Sequence, residues 1–100
     1  MTAEEKKTSD HVIYIGKKGI MSYVLAVITQ LNQEDVKEIT IIARGKLTAR
    51  AIDVALMVTE RFLPNVEVAN IKIKTEELPN EDGQVSRVSA IEILLRKKSS

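Results

Sequence analysis

The chain has 100 residues, 44% of them hydrophobic and 29% charged, with a net charge of +1. That balance predicts one domain with a buried core, and it excludes disorder by composition and a uniformly basic coat, though not a basic face. Cysteine and tryptophan are absent, which excludes disulfides and cysteine–zinc sites, and no apolar run reaches the ~18 residues of a membrane-spanning helix.

The opening "MTAEEKKTSD" is polar and mixed in charge, with no apolar signal region. It predicts a flexible N-terminal tail over residues 1–10 and a soluble protein of a reducing interior. "HVIYI" (His11–Ile15) is rich in β-formers and closed by Gly16, the pattern of a strand. From Ile20 the apolar residues Met21, Val24, Leu25, Val27, Ile28 and Leu31 follow a helical period, so a buried helix is expected to end near Asn32. "EITIIA" (Glu38–Ala43) is nearly continuous in β-branched residues and predicts a central strand. After the turn "RGK", Thr48 is the candidate cap of a second helix that runs to about Phe62 and stops before Pro64.

That second helix carries two apolar sets. Leu47, Ala51, Val54, Ala55, Val58 and Phe62 fall on one face, and Ile52, Leu56 and Leu63 on a neighbouring one. A wide core face accounts for both sets; so does one flank packed on another chain. "VEVANIKIK" (Val66–Lys74) alternates, but its phase slips at Ala69–Asn70, which predicts a bulge or strong twist. "RVSAIEILLRK" (Arg87–Lys97) alternates again. The polar, turn-rich "TEELPNEDGQVS" between them makes a hairpin with a long projecting loop, carrying Glu76, Glu77, Glu81 and Asp82 and no Lys or Arg. The order β-α-β-α-β-β predicts an α/β two-layer sandwich: a mixed sheet with two helices and a long protruding hairpin.

Chemistry concentrates at the two helix starts. Lys17 and Lys18 stand between Gly16 and Gly19, directly before the first helix. The first amides of a helix are unpaired and its dipole is positive there, so anions bind such ends. For helix stability two cations have the wrong sign at that end, and local rules fail most often where function requires it. A solvated surface turn explains the pair equally well on these residues alone. "ARGK" (Ala43–Lys46) repeats the design, with Arg44 and Lys46 around Gly45 and Arg50 in the first helical turn. Two basic helix mouths after strands of one sheet predict a polyanion site. No phosphate-loop motif is present. His11 is the only histidine, and no convergent carboxylate cluster is evident, so neither metal, cofactor nor enzymatic chemistry is expected. Asp53 and Glu60 are expected to face solvent, and Met21 and Met57 to fill the core.

At "IGKKGIMSYVLAVITQLNQ", "IIARGKLTARAIDVA", "RFLPN" and "DGQVSRVSAIEILLRK" the sequence resembles the Alba family of archaeal chromatin proteins, over nearly all of His11 to Lys98. The resemblance implies one nucleic-acid-binding domain over residues 11–98, with the fold of the C-terminal domain of translation initiation factor three. It implies a homodimer whose hairpins extend as arms along a duplex, and assembly of dimers along DNA. It implies largely sequence-independent binding of double-stranded DNA and chromatin compaction, with RNA binding, in the cytoplasm at the nucleoid. An RNA-directed role, as a chaperone or ribonucleoprotein subunit, is the alternative. Lys17 and Lys18 match the family's lysine pair, and Arg44 matches the arginine of its A-R-G turn. Arg87 matches the hairpin arginine, and Tyr23 a tyrosine that stacks or hydrogen-bonds at the nucleic acid. Phe62 matches an aromatic used between neighbouring dimers, and Lys17 the position acetylated in some members. This chain departs from the family pattern in two places. Gly19 replaces a frequent proline, and the hairpin is unusually acidic, with Gln84 where some members carry a basic residue.

Overall fold

The computed structural model describes residues 11–98; the tail expected over residues 1–10 lies outside them. The elements run β1 (Val12–Tyr14), α1 (Ile20–Leu31), β2 (Glu38–Arg44), α2 (Thr48–Met57), β3 (Val66–Pro79) and β4 (Val85–Lys97). The four strands form one sheet in the order β1-β2-β4-β3. β1 is parallel to β2, and the β2–β4 and β3–β4 pairs are antiparallel. The sheet is therefore mixed, and β2 is interior, as its β-branched run requires.

The period of two along each strand sends alternate residues to one face. Ile39, Ile41 and Ala43 of β2 and Ile91, Ile93 and Leu95 of β4 are buried there, under Val24, Val27 and Leu31 of α1 and Ala51, Val54, Ala55 and Val58 of α2. Apart from Tyr23 this core is aliphatic. Each fully buried Ile or Leu stabilises it by about 1.5–3 kcal/mol. Among the described residues no helix covers the opposite face; Tyr14, Thr40, Ile42, Lys72, Glu92 and Leu94 help line a shallow concavity of about 440 Å³ there.

Three local expectations are corrected. The second helix winds as α only to Met57 and widens into a π turn over Val58–Phe62. Leu63 N donates to Val58 O at 2.7 Å, and Thr59 Oγ1 donates back to Ala55 O at 3.0 Å. The extra residue in that turn moves the core-facing position from Phe62 to Leu63. Phe62 is 44% exposed, and Leu63 packs on the core. Thr48 is no N-cap, because the chain already winds as a 3₁₀ turn over Gly45–Leu47 and Thr48 Oγ1 donates to Gly45 O at 3.0 Å. Met21 is exposed on α1 rather than a core filler, because Val24 and Val27 set the inward direction.

The hairpin is also more regular than its composition suggests. The phase slip is a bulge between Val68 and Asn70. Beyond Lys74 the ladder continues to Pro79 opposite Val85, so only residues 80–84 form the turn. Gly83 has φ 87°, and Gly83 N donates to Asn80 O at 3.1 Å. Arg44, the last residue of β2, pairs with Ala90, so the outer five pairs, Thr75↔Ser89 to Pro79↔Val85, form a two-stranded arm, about 17 Å long before its turn. A ribbon with both faces in water needs no apolar alternation, so polar residues can extend it.

Candidate nucleic-acid interface

The chain leaves the sheet at Ile15, whose N donates to Ile42 O at 2.9 Å. It then bends around one oxygen. Gly16 N donates to Tyr23 Oη at 2.8 Å, and Lys18 N donates to the same oxygen at 3.1 Å. A Cβ at position 16 would stand 3.0 Å from that hydroxyl, which is why glycine fits there. The Tyr23 ring is buried in the first turns of α1. Tyr23 therefore lies beneath the loop rather than on its surface, and its ring offers no open face for stacking; it positions the lysine segment. Lys17 and Lys18 are exposed. Gly19 is the N-cap of α1, without a side-chain cap, and the first turn holds no acid. The positive end of the dipole and two ammonium groups thus coincide, and among the described residues no acid pairs with them.

Arg50 joins the two helix mouths. It lies in the first turn of α2, and its Nη2 donates to the backbone carbonyl of Lys18. Its Nε is buried and has no hydrogen-bond partner among the described residues. Arg50 therefore fixes the lysine loop at the carbonyl of Lys18, whose amide donates to Tyr23. In the second mouth, Gly45 adopts φ 57°, a left-handed conformation that glycine takes without strain. That turn leaves Lys46 exposed.

Arg44 points elsewhere. It follows buried Ala43, so it projects from the sheet face that the helices leave bare. Its Nε donates to Glu76 Oε1 at 2.5 Å, and Lys74 Nζ stands 3.5 Å from Glu76 Oε2. Lys74 also pairs with Glu92 at 3.0 Å. The hydrogen bond from Arg44 holds the Glu76 carboxyl below the ordinary carboxylate range, and that to Glu92 pushes the Lys74 ammonium above its usual value. Arg87, on the arm, is well exposed and lies 3.5 Å from Glu77. Two of the arm's four acids thus pair internally instead of pointing at an incoming polyanion. Asp82 Oδ1 accepts from Gln84 N at 3.1 Å and serves the turn.

The sequence-predicted residues form three groups. Lys18, Tyr23 and Arg50 make one hydrogen-bonded unit that carries Lys17 in its loop, with Lys46 on the turn that leads into Arg50's helix. Arg44 belongs to the ion-pair network at the base of the arm, and Arg87 to the arm itself. Phe62 stands at the far end of the second helical segment. Sequence reasoning missed Glu76 as a partner of Arg44 and Tyr23 as the clamp of its loop. The first is visible only once β4 is known to separate β2 from β3. The second had a signal in the spacing, since a tyrosine one helical turn past a glycine loop can reach back to it. Among the described residues, no group of three or more His, Cys, Asp or Glu is placed to hold a metal ion.

The Alba family model matches residues 11–75. A protein of Methanococcus maripaludis described as DNA/RNA-binding protein Alba is 50% identical over 88 residues, covering 88% of this chain and 99% of that one. A protein of Methanocella arvoryzae with the same description is 51% identical over 88 residues, covering 88% and 91%. The solved structure of Alba from Thermoplasma volcanium superposes with a TM-score of 0.80 at 44% identity, covering 87% of this chain and all of that one.

Proposed function

The chain belongs to the Alba family, and from that premise we propose that it is a nonenzymatic nucleic-acid-binding protein that coats double-stranded DNA with little sequence preference. The observation that carries the reading is the uncapped, acid-free start of α1, where exposed Lys17 and Lys18 are held by Tyr23 and Arg50. Lys17, Lys18, Lys46 and Arg50 grip backbone phosphates on one side, and Arg44 and Arg87 extend the contact along the arm. Such contacts carry affinity without base information. RNA, whose backbone offers the same phosphates, is bound by the same surface.

The working form is a homodimer. Ile52 and Leu56 are 43% and 42% exposed on α2, and Ile71 and Ile73 are 56% and 76% exposed on β3. Ile52 and Ile73 line one concavity of about 470 Å³ at the base of the arm. An apolar patch of that kind suits a second copy of the chain. Residues 11–98 act as one domain, dimers assemble along DNA through Phe62, and the protein resides at the nucleoid in the cytoplasm and compacts chromatin. Acetylation of Lys17 removes one charge from the grip and loosens it.

The test is affinity for two unrelated duplexes and one structured RNA across a salt series. Equal duplex affinities with a steep salt slope support the reading. A strong preference for one duplex, or a slope near zero, contradicts it. Binding to RNA alone replaces it with the RNA-directed role.

A further inference from the structure

Among the described residues, Arg44 is the proposed phosphate contact held most closely by an anionic partner, at 2.5 Å from Glu76 against 3.5 Å for Arg87 and Glu77. The register explains how. Arg44 pairs with Ala90 of β4, and Ala90 with Lys74 of β3. Alternation places Arg44, Lys74, Glu76 and Glu92 on the same bare face, so the arginine reaches across β4 to the base of the arm. Glu76 Oε1 accepts from Arg44 at 2.5 Å, and Glu76 Oε2 faces Lys74 at 3.5 Å. The Glu76 side chain is 20% exposed, against 48% for Arg44. A carboxylate whose two oxygens meet two cations presents to Arg44 what a backbone phosphate would present.

We propose that Glu76 is an internal competitor for the nucleic-acid backbone, occupying Arg44 until a phosphate exchanges with it, so that this acid sets how tightly the arm side of the interface binds. This inference rests on the reading of Arg44 as a phosphate contact. The exchange replaces one charge-assisted hydrogen bond by another. Arg44 therefore adds less to affinity than an arginine with no acid beside it. The carboxylate it releases keeps Lys74 as a neighbour, which lowers the cost of the opening. Lys17 and Lys18 make no ion pair among the described residues, so the two sides of the interface differ in kind. The lysine side is ready for phosphate, and the arm side is latched. The hydrogen bond from Arg44 keeps Glu76 ionised throughout the neutral range, so the latch does not open by protonation there.

Glu76→Gln tests this, because it keeps the shape and removes the charge. Duplex affinity is measured across a salt series for the unsubstituted chain, Glu76→Gln, Arg44→Ala and the Arg44→Ala/Glu76→Gln pair. Glu67→Gln serves as control: it makes the same charge change about 30 Å away along β3, beyond the ~8 Å screening length at 0.15 M salt. The proposal expects Glu76→Gln to tighten binding by up to about fivefold per protomer at 0.15 M salt, the cost of opening an exposed ion pair, and to leave the slope of log K against log salt nearly unchanged, because Arg44 meets one phosphate in either protein. Glu67→Gln should not tighten binding, and the gain should vanish without Arg44. Unchanged or weaker binding by Glu76→Gln overturns the proposal, the weaker result marking Glu76 as a strut for the arm. An equal gain in Glu67→Gln, or a gain that survives loss of Arg44, overturns it too. If the unsubstituted chain binds no duplex, the functional reading itself falls and the latch with it, a result seen before any substitution is made.

Discussion

Replacing Tyr23 by Phe removes one oxygen and keeps the ring. That oxygen accepts from Gly16 N at 2.8 Å and from Lys18 N at 3.1 Å. A hydrogen bond of this kind adds about 0.5–1.5 kcal/mol of net stability. Lys18 is exposed and Gly16 half-buried, so water partly replaces the lost acceptor and the sum falls at about 1–2 kcal/mol. For a domain of this size that lowers the melting temperature by about 5–10 °C, measured at matched protein concentration. Amide exchange at positions 16 and 18 should quicken, since both N–H groups lose their partner. Duplex affinity should fall about two- to tenfold, because a mobile loop must be ordered on binding. The salt slope should hold, because every cation remains. A tyrosine that stacked on a base would behave otherwise: phenylalanine would preserve binding. Unchanged melting and unchanged exchange at these two amides would refute the clamp.

Gly19 has φ −62° and nothing within 4 Å of a Cβ placed there, so Gly19→Pro should stabilise the chain by about 0.4–1 kcal/mol in a thermal melt and leave the salt slope unchanged. Light scattering should give twice the chain mass of 11.2 kDa, and Ile73→Asp should return it to a single chain, since a charge would then sit in the apolar contact. The folded-state carboxyl of Glu76 is lowered by Arg44. Its contribution to stability is therefore present above the unfolded carboxylate value and is lost as pH falls through the lower folded one. A side-chain carboxyl titration by NMR should find Glu76 below the ordinary carboxylate range, and a midpoint inside that range would contradict the ion pair.

The large features of the fold were legible because they rest on periodicity. The β-branched run of Glu38–Ala43 marked an interior strand, and the parity slip at Ala69–Asn70 marked the bulge. The basic mouths were legible because charge at a helix start contradicts the dipole. What escaped depends on backbone detail or on neighbours distant in sequence. The π turn at Val58–Phe62 moves one residue and so exchanges Phe62 for Leu63 in the core, and no 3.6-residue pattern announces it. The arm's ladder is specified by strand partnership rather than by apolar alternation, so Thr75–Pro79 passed for loop. The acids of the hairpin read in the sequence only as an unusual concentration of negative charge, yet Glu76 and Glu77 face Arg44 and Arg87, contacts that exist only in the folded register.

The central claim is that Lys17 and Lys18 stand at the start of α1 to hold a nucleic-acid backbone. Lys17→Ala/Lys18→Ala, titrated with one duplex across a salt series, tests it most directly. The account predicts a slope flatter by about 2 per engaged protomer and a melting temperature unchanged or slightly raised, because two cations leave the positive end of a helix. An unchanged slope would take the lysine pair out of the interface and contradict the claim.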